Sequence, residues 1–235
     1  MKKSVFLITG GCGFIGSALI RNLLLDDSNT IVNIDKLTYA SNLSSLGNTK
    51  DKNYFFYNED IVNNIFLEKV LVNHKPDYVI HLAAESHVDR SIDSPETFIM
   101  TNVLGTYYLL DSSHKYWSNL SKDRKENFKF LLVSTDEVYG SLGPDEESFH
   151  ENSQYQPNSP YAATKASADH LARSWNKTYK FPVIITNTSN NYGKWQFPEK
   201  LIPLVISKCL KREDIPIYGN GQQIRDWIHV DDHVS

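Results

Sequence analysis

Two short segments carry side chains whose types and spacing suit acid–base chemistry. Ser134-Thr135-Asp136-Glu137-Val138-Tyr139-Gly140 places a hydroxyl and two carboxylates side by side at the end of an apolar run. Tyr161-Ala162-Ala163-Thr164-Lys165 sets a phenol and an ammonium at i and i+4, on one face of a helix, with Ser159 and Pro160 just ahead as N-cap and first-turn proline. A free tyrosine titrates near ~10 and is a poor base at neutral pH. A lysine ammonium held beside it, together with a positively charged cofactor ring, favours phenolate. A phenolate then takes the proton of an alcohol while the cofactor takes the hydride. An elimination at the neighbouring carbon needs both a base and an acid, and adjacent carboxyls in a partly dry pocket tend to split their pKa values. The inert alternatives are an exposed Tyr/Lys helix pair and two solvated loop carboxylates. Their place after a strand, on the ligand-binding edge of a sheet, favours catalysis.

A nucleotide cradle opens the chain. Gly10-Gly11-Cys12-Gly13-Phe14-Ile15-Gly16 follows an apolar strand and starts a helix. Glycines here permit a tight turn, close approach of a pyrophosphate and close helix–sheet packing, and the helix N-terminus offers free N–H groups to the anion. Asp35, roughly 20 residues beyond Gly16, ends the second strand, where a carboxylate accepts from ribose hydroxyls and repels a 2′-phosphate. NAD is therefore expected over NADP, with neighbouring Lys36 weakening the discrimination. Asp60-Ile61 falls at the expected adenine edge, and a helix N-cap role for Asp60 is an equal reading.

The elements that position these groups follow from pattern. Residues 5–9, 31–35, 78–82, 128–134 and 183–186 read as strands buried on both faces, with 54–57 as a further candidate. Residues 15–25, 61–73, 97–116 and 161–179 have the length and periodicity of helices. Strand–helix alternation with short links predicts an α/β fold, a doubly wound parallel sheet of the Rossmann type. After residue 187 the texture changes, with a turn-rich loop, a helix over 201–210 and a short strand over 215–218. The expected division is a dinucleotide-binding domain over 1–190 and the start of a smaller, incomplete substrate-binding region over 191–235, with 224–235 able to return to the first domain.

Composition bounds the rest. The chain has 235 residues, 40% hydrophobic and 22% charged, and a net charge of −4, which argues against a nucleic-acid partner. Two cysteines, Cys12 and Cys209, are too few for a disulfide framework or a zinc cluster, so a reducing, cytoplasmic compartment is expected. Lys2 and Lys3 before an apolar run superficially suggest a signal peptide. Gly10 and Gly11 break that run, so a buried first strand is the expectation. No apolar run approaches the ~20 residues of a membrane span. His229, Asp231, Asp232 and His233 have metal-like composition but read as a strand end and helix start, and no metal is expected.

The glycine run, Asp35-Lys36-Leu37-Thr38-Tyr39-Ala40, His81-Leu82-Ala83-Ala84-Glu85-Ser86-His87-Val88-Asp89-Arg90-Ser91, Ser134–Gly140, Tyr161–Lys165, Ser189-Asn190-Asn191-Tyr192-Gly193 and Phe197-Pro198-Glu199-Lys200-Leu201-Ile202-Pro203 together resemble the extended short-chain dehydrogenase/reductases that act on nucleotide sugars, and within them the 4,6-dehydratases. The resemblance runs along essentially the whole chain, and Asp136-Glu137 is what separates it from related epimerases. It implies an NAD-dependent lyase acting on dTDP-glucose in deoxysugar (rhamnose-type) and cell-surface polysaccharide synthesis. Tyr161 would deprotonate the 4-hydroxyl as NAD accepts hydride from C4, Glu137 would remove the C5 proton, and Asp136 would protonate the departing 6-hydroxyl. Hydride would then return to C6, with Thr135 bonded to the 4-oxygen and Lys165 beside Tyr161.

The implied cofactor contacts are Gly10, Gly13, Phe14, Ile15, Gly16, Asp35, Lys36, Thr38, Asp60, Ile61, Leu82, Ala83, Ala84, Ser86, Thr101, Tyr161, Lys165 and Asn190. The implied substrate contacts are Ser86, His87, Arg90, Thr135, Asn190, Glu199, Lys200, Leu201, Pro216, Tyr218 and Arg225. Arg90 and Arg225 suit a diphosphate, and a surface salt bridge is the other reading for each. A homodimer built from two long helices of each subunit is also implied. Family members run to well over 300 residues, so the chain reads as C-terminally truncated. Ser41 stands where glycine is expected after Tyr39-Ala40, and Lys194-Trp195 replaces a proline-containing pair; both are loop changes. An epimerase or decarboxylase of the same superfamily, a dehydratase of UDP- or CDP-glucose, and an NAD-binding fragment without turnover are the competing readings.

Overall fold

Runs of β-branched and apolar residues become strands, and the central ones are covered on both faces. The computed structural model describes residues 3–47, 52–143, 145–217 and 219–235. β1 (Val5–Thr9) feeds α1 (Phe14–Leu23) through the glycine turn, and β2 (Thr30–Asp35), buried along its whole length, leads to β3 (Tyr54–Asn58). Next come α2 (Asn64–His74), β4 (Tyr78–His81) and the short helices α3 (Val88–Asp93) and α4 (Pro95–Phe98). A π-helical stretch (Ile99–Gly105) joins α4 to α5 (Thr106–Ser118), followed by α6 (Lys122–Asn127), β5 (Lys129–Thr135) and a 3-10 turn over Asp136–Tyr139. α7 (Pro160–Tyr179) and β6 (Val183–Thr188) complete the main sheet.

All pairings in this sheet are parallel, and the strand order is β3-β2-β1-β4-β5-β6. The doubly wound Rossmann-type architecture expected from the alternation is therefore present. On one face α2, α5 and α7 bury Leu67, Leu71, Leu109, Leu110, Ala168 and Ala172 against Phe130 and Phe181. On the other, Ile20 of α1 packs on Ile8 and Ile31. The leucine, isoleucine and phenylalanine side chains among these each contribute about 1.5–3 kcal/mol by leaving water.

Several local differences have physical causes. The segment read as one helix over 97–116 is interrupted by the π-helical stretch, which turns Thr101, Asn102 and Gly105 inward. Asn102 Oδ1 accepts from Glu85 N and its Nδ2 donates to Glu85 O, tying the loop after β4 to this helix. α2 starts later than expected, capped by Asn63, whose side chain accepts from Phe66 N; Asp60 is not its N-cap. The strand expected over 215–218 is absent across Ile215–Ile217, where Ile217 is 74% exposed; the same reading at Tyr218 lies outside the described residues. Among the described residues no strand neighbours that apolar run, so it has no ladder to join.

Beyond β6, β7 (Asn190–Tyr192) pairs in parallel with β8 (Trp227–His229), and α8 (Leu201–Lys211) lies between them in sequence. α9 (Val230–Val234) follows β8 directly and packs against α1. His229 thus ends a strand and Val230 starts a helix, as read from the sequence.

The strand order reverses between β1 and β4, and the turns after these two strands nearly touch. Gly10 has φ +73°, and a Cβ there would lie 2.6 Å from Ala83 N. Gly10→Ala should therefore lower the free energy of unfolding by about 1–3 kcal/mol through the left-handed backbone alone, before the clash is added. Urea titration of the variant against the unaltered chain measures this, and an unchanged midpoint would contradict it.

Candidate active site

Because every main-sheet strand is parallel, all carboxyl ends emerge on one edge, and a cleft opens there at the reversal point. Its lining includes the entire expected cofactor set: Gly10, Gly13, Phe14, Ile15 and Gly16 from the first turn; Asp35, Lys36 and Thr38 after β2; Asp60 and Ile61 after β3; Leu82, Ala83, Ala84 and Ser86 after β4; and Thr101, Tyr161, Lys165 and Asn190. Gly13 is the N-cap of α1 and offers no side chain to its first turn, so the N–H groups of that turn face the cleft for an anion.

Buried hydrogen bonds hold these loops. Asp35 is 7% exposed. Its Oδ2 accepts from Cys12 N at 2.9 Å, and its Oδ1 from Leu37 N at 2.8 Å and Ser41 Oγ at 2.9 Å. One carboxylate thereby joins the glycine turn to the loop after β2 and keeps Leu37 at φ 53°. Ser41, a loop departure in sequence, is part of this joint. Lys36 does not crowd Asp35: its Nζ donates to Thr101 Oγ1 at 2.9 Å and sits 3.3 Å from Glu85 and 3.8 Å from Asp60.

After β4 a relay fixes Ala83. The Thr106 hydroxyl donates to Asn102 O, so His81 Nε2 donates to Thr106 and His81 Nδ1 accepts from Thr9. Thr9 Oγ1 in turn accepts from Ala83 N. Burial pushes His81 down to about 3, keeping the ring neutral in this role.

Thr135, Glu137, Tyr161 and Lys165 line the same cleft. Thr135 Oγ1 accepts from Glu137 N at 3.2 Å and donates to Asp136 Oδ1 at 3.3 Å, so the hydroxyl caps the turn that bears both carboxylates. Asp136 lies on this turn but outside the lining. Ser159 Oγ accepts from Ala162 N and Pro160 occupies the first turn of α7, as read from the sequence. Lys165 Nζ donates to Val133 O at 2.8 Å.

The electrostatics differ from expectation at Tyr161. Burial, then the charge of Glu137, raises its phenol above the usual value, opposed by a hydrogen bond with Thr135. In the protein alone Lys165 does not reverse this. Burial lowers Lys165 itself to about 8, against the pull of Asp169. Burial also raises Asp136 and Glu137, and the Asp136 charge raises Glu137 further, while Lys200 and Arg225 pull it down. Both carboxyls move upward in place of the expected split.

Of the expected substrate residues, Ser86, Thr135, Asn190, Glu199 and Lys200 line the cleft. His87 and Arg90 stand at 3.6 and 3.7 Å from Glu199, and the Arg90 guanidinium lies 3.6 Å over the Tyr39 ring. Lys200 Nζ donates to Ser86 O at 3.0 Å. Leu201, Pro216 and Arg225 are exposed and outside the lining. Tyr218 lies outside the described residues. Sequence reading missed Glu85 and Asp169. Asp169 had a signal in its place one turn beyond Lys165; Glu85 sat unassigned inside a quoted segment.

The profile of the GDP-mannose 4,6 dehydratase family matches residues 7–235. The chain belongs to this family. A dTDP-glucose 4,6-dehydratase of Salmonella typhimurium is 54% identical over 97% of the chain, which spans 65% of that relative. Among solved structures, DesIV, a dTDP-glucose 4,6-dehydratase from Streptomyces venezuelae with NAD and TYD bound, has a TM-score of 0.88 at 42% identity, over 98% of this chain and 69% of that one. A UDP-N-acetylglucosamine 4-epimerase from Methanobrevibacter ruminantium M1 has a TM-score of 0.87 at 31% identity, over 100% of this chain and 71% of that one. The chain spans about 65% of the length of the curated relatives it matches.

For this member of the GDP-mannose 4,6 dehydratase family, Ser41→Ala should cost about 1 kcal/mol and Asp35→Asn more, since the amide leaves a buried donor facing a donor. Urea unfolding of the two variants tests that order.

Proposed function

We propose that the protein is a nucleotide-sugar 4,6-dehydratase that uses tightly bound NAD to convert dTDP-glucose to dTDP-4-keto-6-deoxy-glucose. The observation that carries this reading is that Thr135 and Glu137, on the turn that also bears Asp136, line one cleft with Tyr161, Lys165 and the glycine turn. The names of the relatives support it, as does the NAD bound in DesIV.

The residues present suit a dinucleotide. A Cβ at Gly13 would meet only Gly10 O, at 3.3 Å, so the cleft side of the turn is open, and α1 directs its first N–H groups there. Asp35 would hold the adenosine ribose, and the Lys36 charge is already matched by Glu85 and Asp60, which weakens its pull on a 2′-phosphate. NAD, when bound, supplies the hydride acceptor and donor and a cationic ring over the cleft.

Within the protein, Tyr161 takes the proton of the sugar 4-hydroxyl, and Thr135 bonds the same oxygen. Glu137, a stronger base for being raised, removes the C5 proton once C4 is a ketone. Asp136 gives a proton to the departing 6-hydroxyl, which leaves as water. Glu199 and Lys200 of the cleft lining, with His87 and Arg90 beside Glu199, hold the nucleotide sugar, and the exposed Arg225 adds a charge that acts on Asp136 and Glu137. Residues 1–190 form the dinucleotide-binding domain and 191–235 the start of the substrate region, with the contact of α9 on α1 supporting a return of 224–235 to the first. A homodimer is supported by apolar residues left exposed around α5 and α7, among them Ile99, Met100, Tyr107 and Tyr179. Among the described residues no helix is long and apolar enough to cross a membrane, and a cytoplasmic location accords with a cysteine count of two, too few for a disulfide framework.

Glu137→Gln should lower kcat for the 4-keto-6-deoxy product at least ~100-fold, the usual weight of a general base. Undiminished formation of that product would contradict the base role of Glu137, and a 4-epimer or a decarboxylated sugar in its place would support an epimerase or decarboxylase. Because Glu137 must be ionised and its pKa is raised, kcat/KM should fall with falling pH above the ordinary carboxylate range. A pH–rate profile with no such limb would contradict the role.

A further inference from the structure

Asp169 is a buried carboxylate that the chemistry above does not use. It follows Lys165 by one turn of α7; the two are 2% and 5% exposed and share the face packed under the end of β5. Asp169 Oδ2 accepts from Ser134 Oγ at 2.8 Å, Tyr155 OH at 3.0 Å and Asn187 Nδ2 at 3.1 Å. Its Oδ1 is buried and accepts no hydrogen bond among the described residues. Lys165 donates to Val133 O, the residue before Ser134. Carboxylate and ammonium therefore grip consecutive residues of β5, just ahead of Thr135. Asn187 Nδ2 also reaches Thr135 O at 3.2 Å, so the same cluster sets the start of the Asp136–Tyr139 turn.

The other titratable groups around the pair leave Asp169 as the counter-charge to Lys165. From β4, His81 is neutral, as described above. From the turn after β5, Tyr139 is raised by burial, and Asp136 and Glu137 face Tyr161. From the loop before α7, Tyr155 is raised by burial and by Asp169, with His170 against its ring at 5.2 Å.

We propose that Asp169 is a positioning residue that keeps Lys165 protonated around neutral pH while fixing the end of β5 on which Thr135 sits. The proposal rests on the reading of Tyr161 and Lys165 as the catalytic pair. Burial opposes the charge on both members, lowering Lys165 and raising Asp169, and each partner pulls the other back toward its ionised form. Three donors on one oxygen further favour the carboxylate. Loss of the Asp169 charge lets Lys165 give up its proton at lower pH, so the alkaline limb of activity moves down while the acid limb, set by Glu137, stays.

The test is Asp169→Asn in the full chain, with two readouts. The first is titration of the Lys165 ammonium by nitrogen-15 NMR, its signal assigned by loss in Lys165→Arg; it needs no turnover and so stands apart from the dehydratase reading. The midpoint should fall by about one pH unit or more, the usual effect of an opposite charge close by. The second is the pH–rate profile with dTDP-glucose, whose alkaline limb should shift by the same amount. An unchanged Lys165 midpoint, or a rate reduced by one factor at every pH, would overturn the proposal; absence of turnover in the unaltered chain would instead strike the dehydratase reading. Should Asp169→Asn not fold, carbon-13 titration of the Asp169 carboxyl in the unaltered chain decides. An ionised carboxylate whose shift follows the Lys165 midpoint supports the pairing, and a carboxyl protonated through neutral pH sinks it.

Discussion

A parallel strand must be covered on both faces and must return through a crossover, so every strand of such a sheet ends at the same edge. The rest of this molecule depends on that constraint. The glycine turn, the loop carrying Asp35, the segment from Leu82 to Ser86 and the Thr135-Asp136-Glu137 turn are far apart in sequence. They meet because β1, β2, β4 and β5 run side by side in one direction. Gly10 lies against Ala83 where the strand order reverses, and there only hydrogen fits in place of a side chain.

Buried polar groups then convert a shared edge into a defined geometry. Asp35 joins the first two loops, the Thr106–His81–Thr9 relay sets Ala83, and Asn102 clasps both backbone groups of Glu85. Each is a short polar side chain closed off from water, where an unmade hydrogen bond costs about 1–3 kcal/mol, so the loops have few alternative arrangements. The same burial shifts the chemistry. It raises the carboxyls at 136 and 137 and the phenol at 161, and lowers the amine at 165. The two carboxyls and the amine are thereby displaced toward neutrality, where a general base or acid gains, while the phenol is displaced away from it.

Most of the fold was legible because its signals are local. Apolar runs marked the main-sheet strands within a few residues, and Ser159-Pro160 marked the start of α7. The misreadings arose where a distant partner decides. In the π-helical stretch the inward turn of Asn102 answers to Glu85 and that of Thr101 to Lys36, which the helical period of 97–116 does not reveal. Ile215–Ile217 has the composition of a strand but no strand to pair with among the described residues. Asp60 resembled an N-cap in spacing, yet it serves Val62 N and Lys36 while Asn63 caps the helix.

By itself the sequence determined the residue types, their order and their local spacing: a glycine turn before a helix, an acid at the end of the second strand, a Tyr/Lys pair one helical turn apart, and adjacent carboxyls after a strand. These rest on covalent sequence and on backbone preferences of a few residues, so they can be read without a fold. Only the tertiary structure decided the surroundings: that Ser41 completes the Asp35 joint, that Glu85 and Asp60 take the Lys36 charge, that Asp169 lies under Lys165, and that Tyr161 is raised. Those outcomes depend on burial and on charges brought together from distant segments, quantities that come into existence when the chain closes around them.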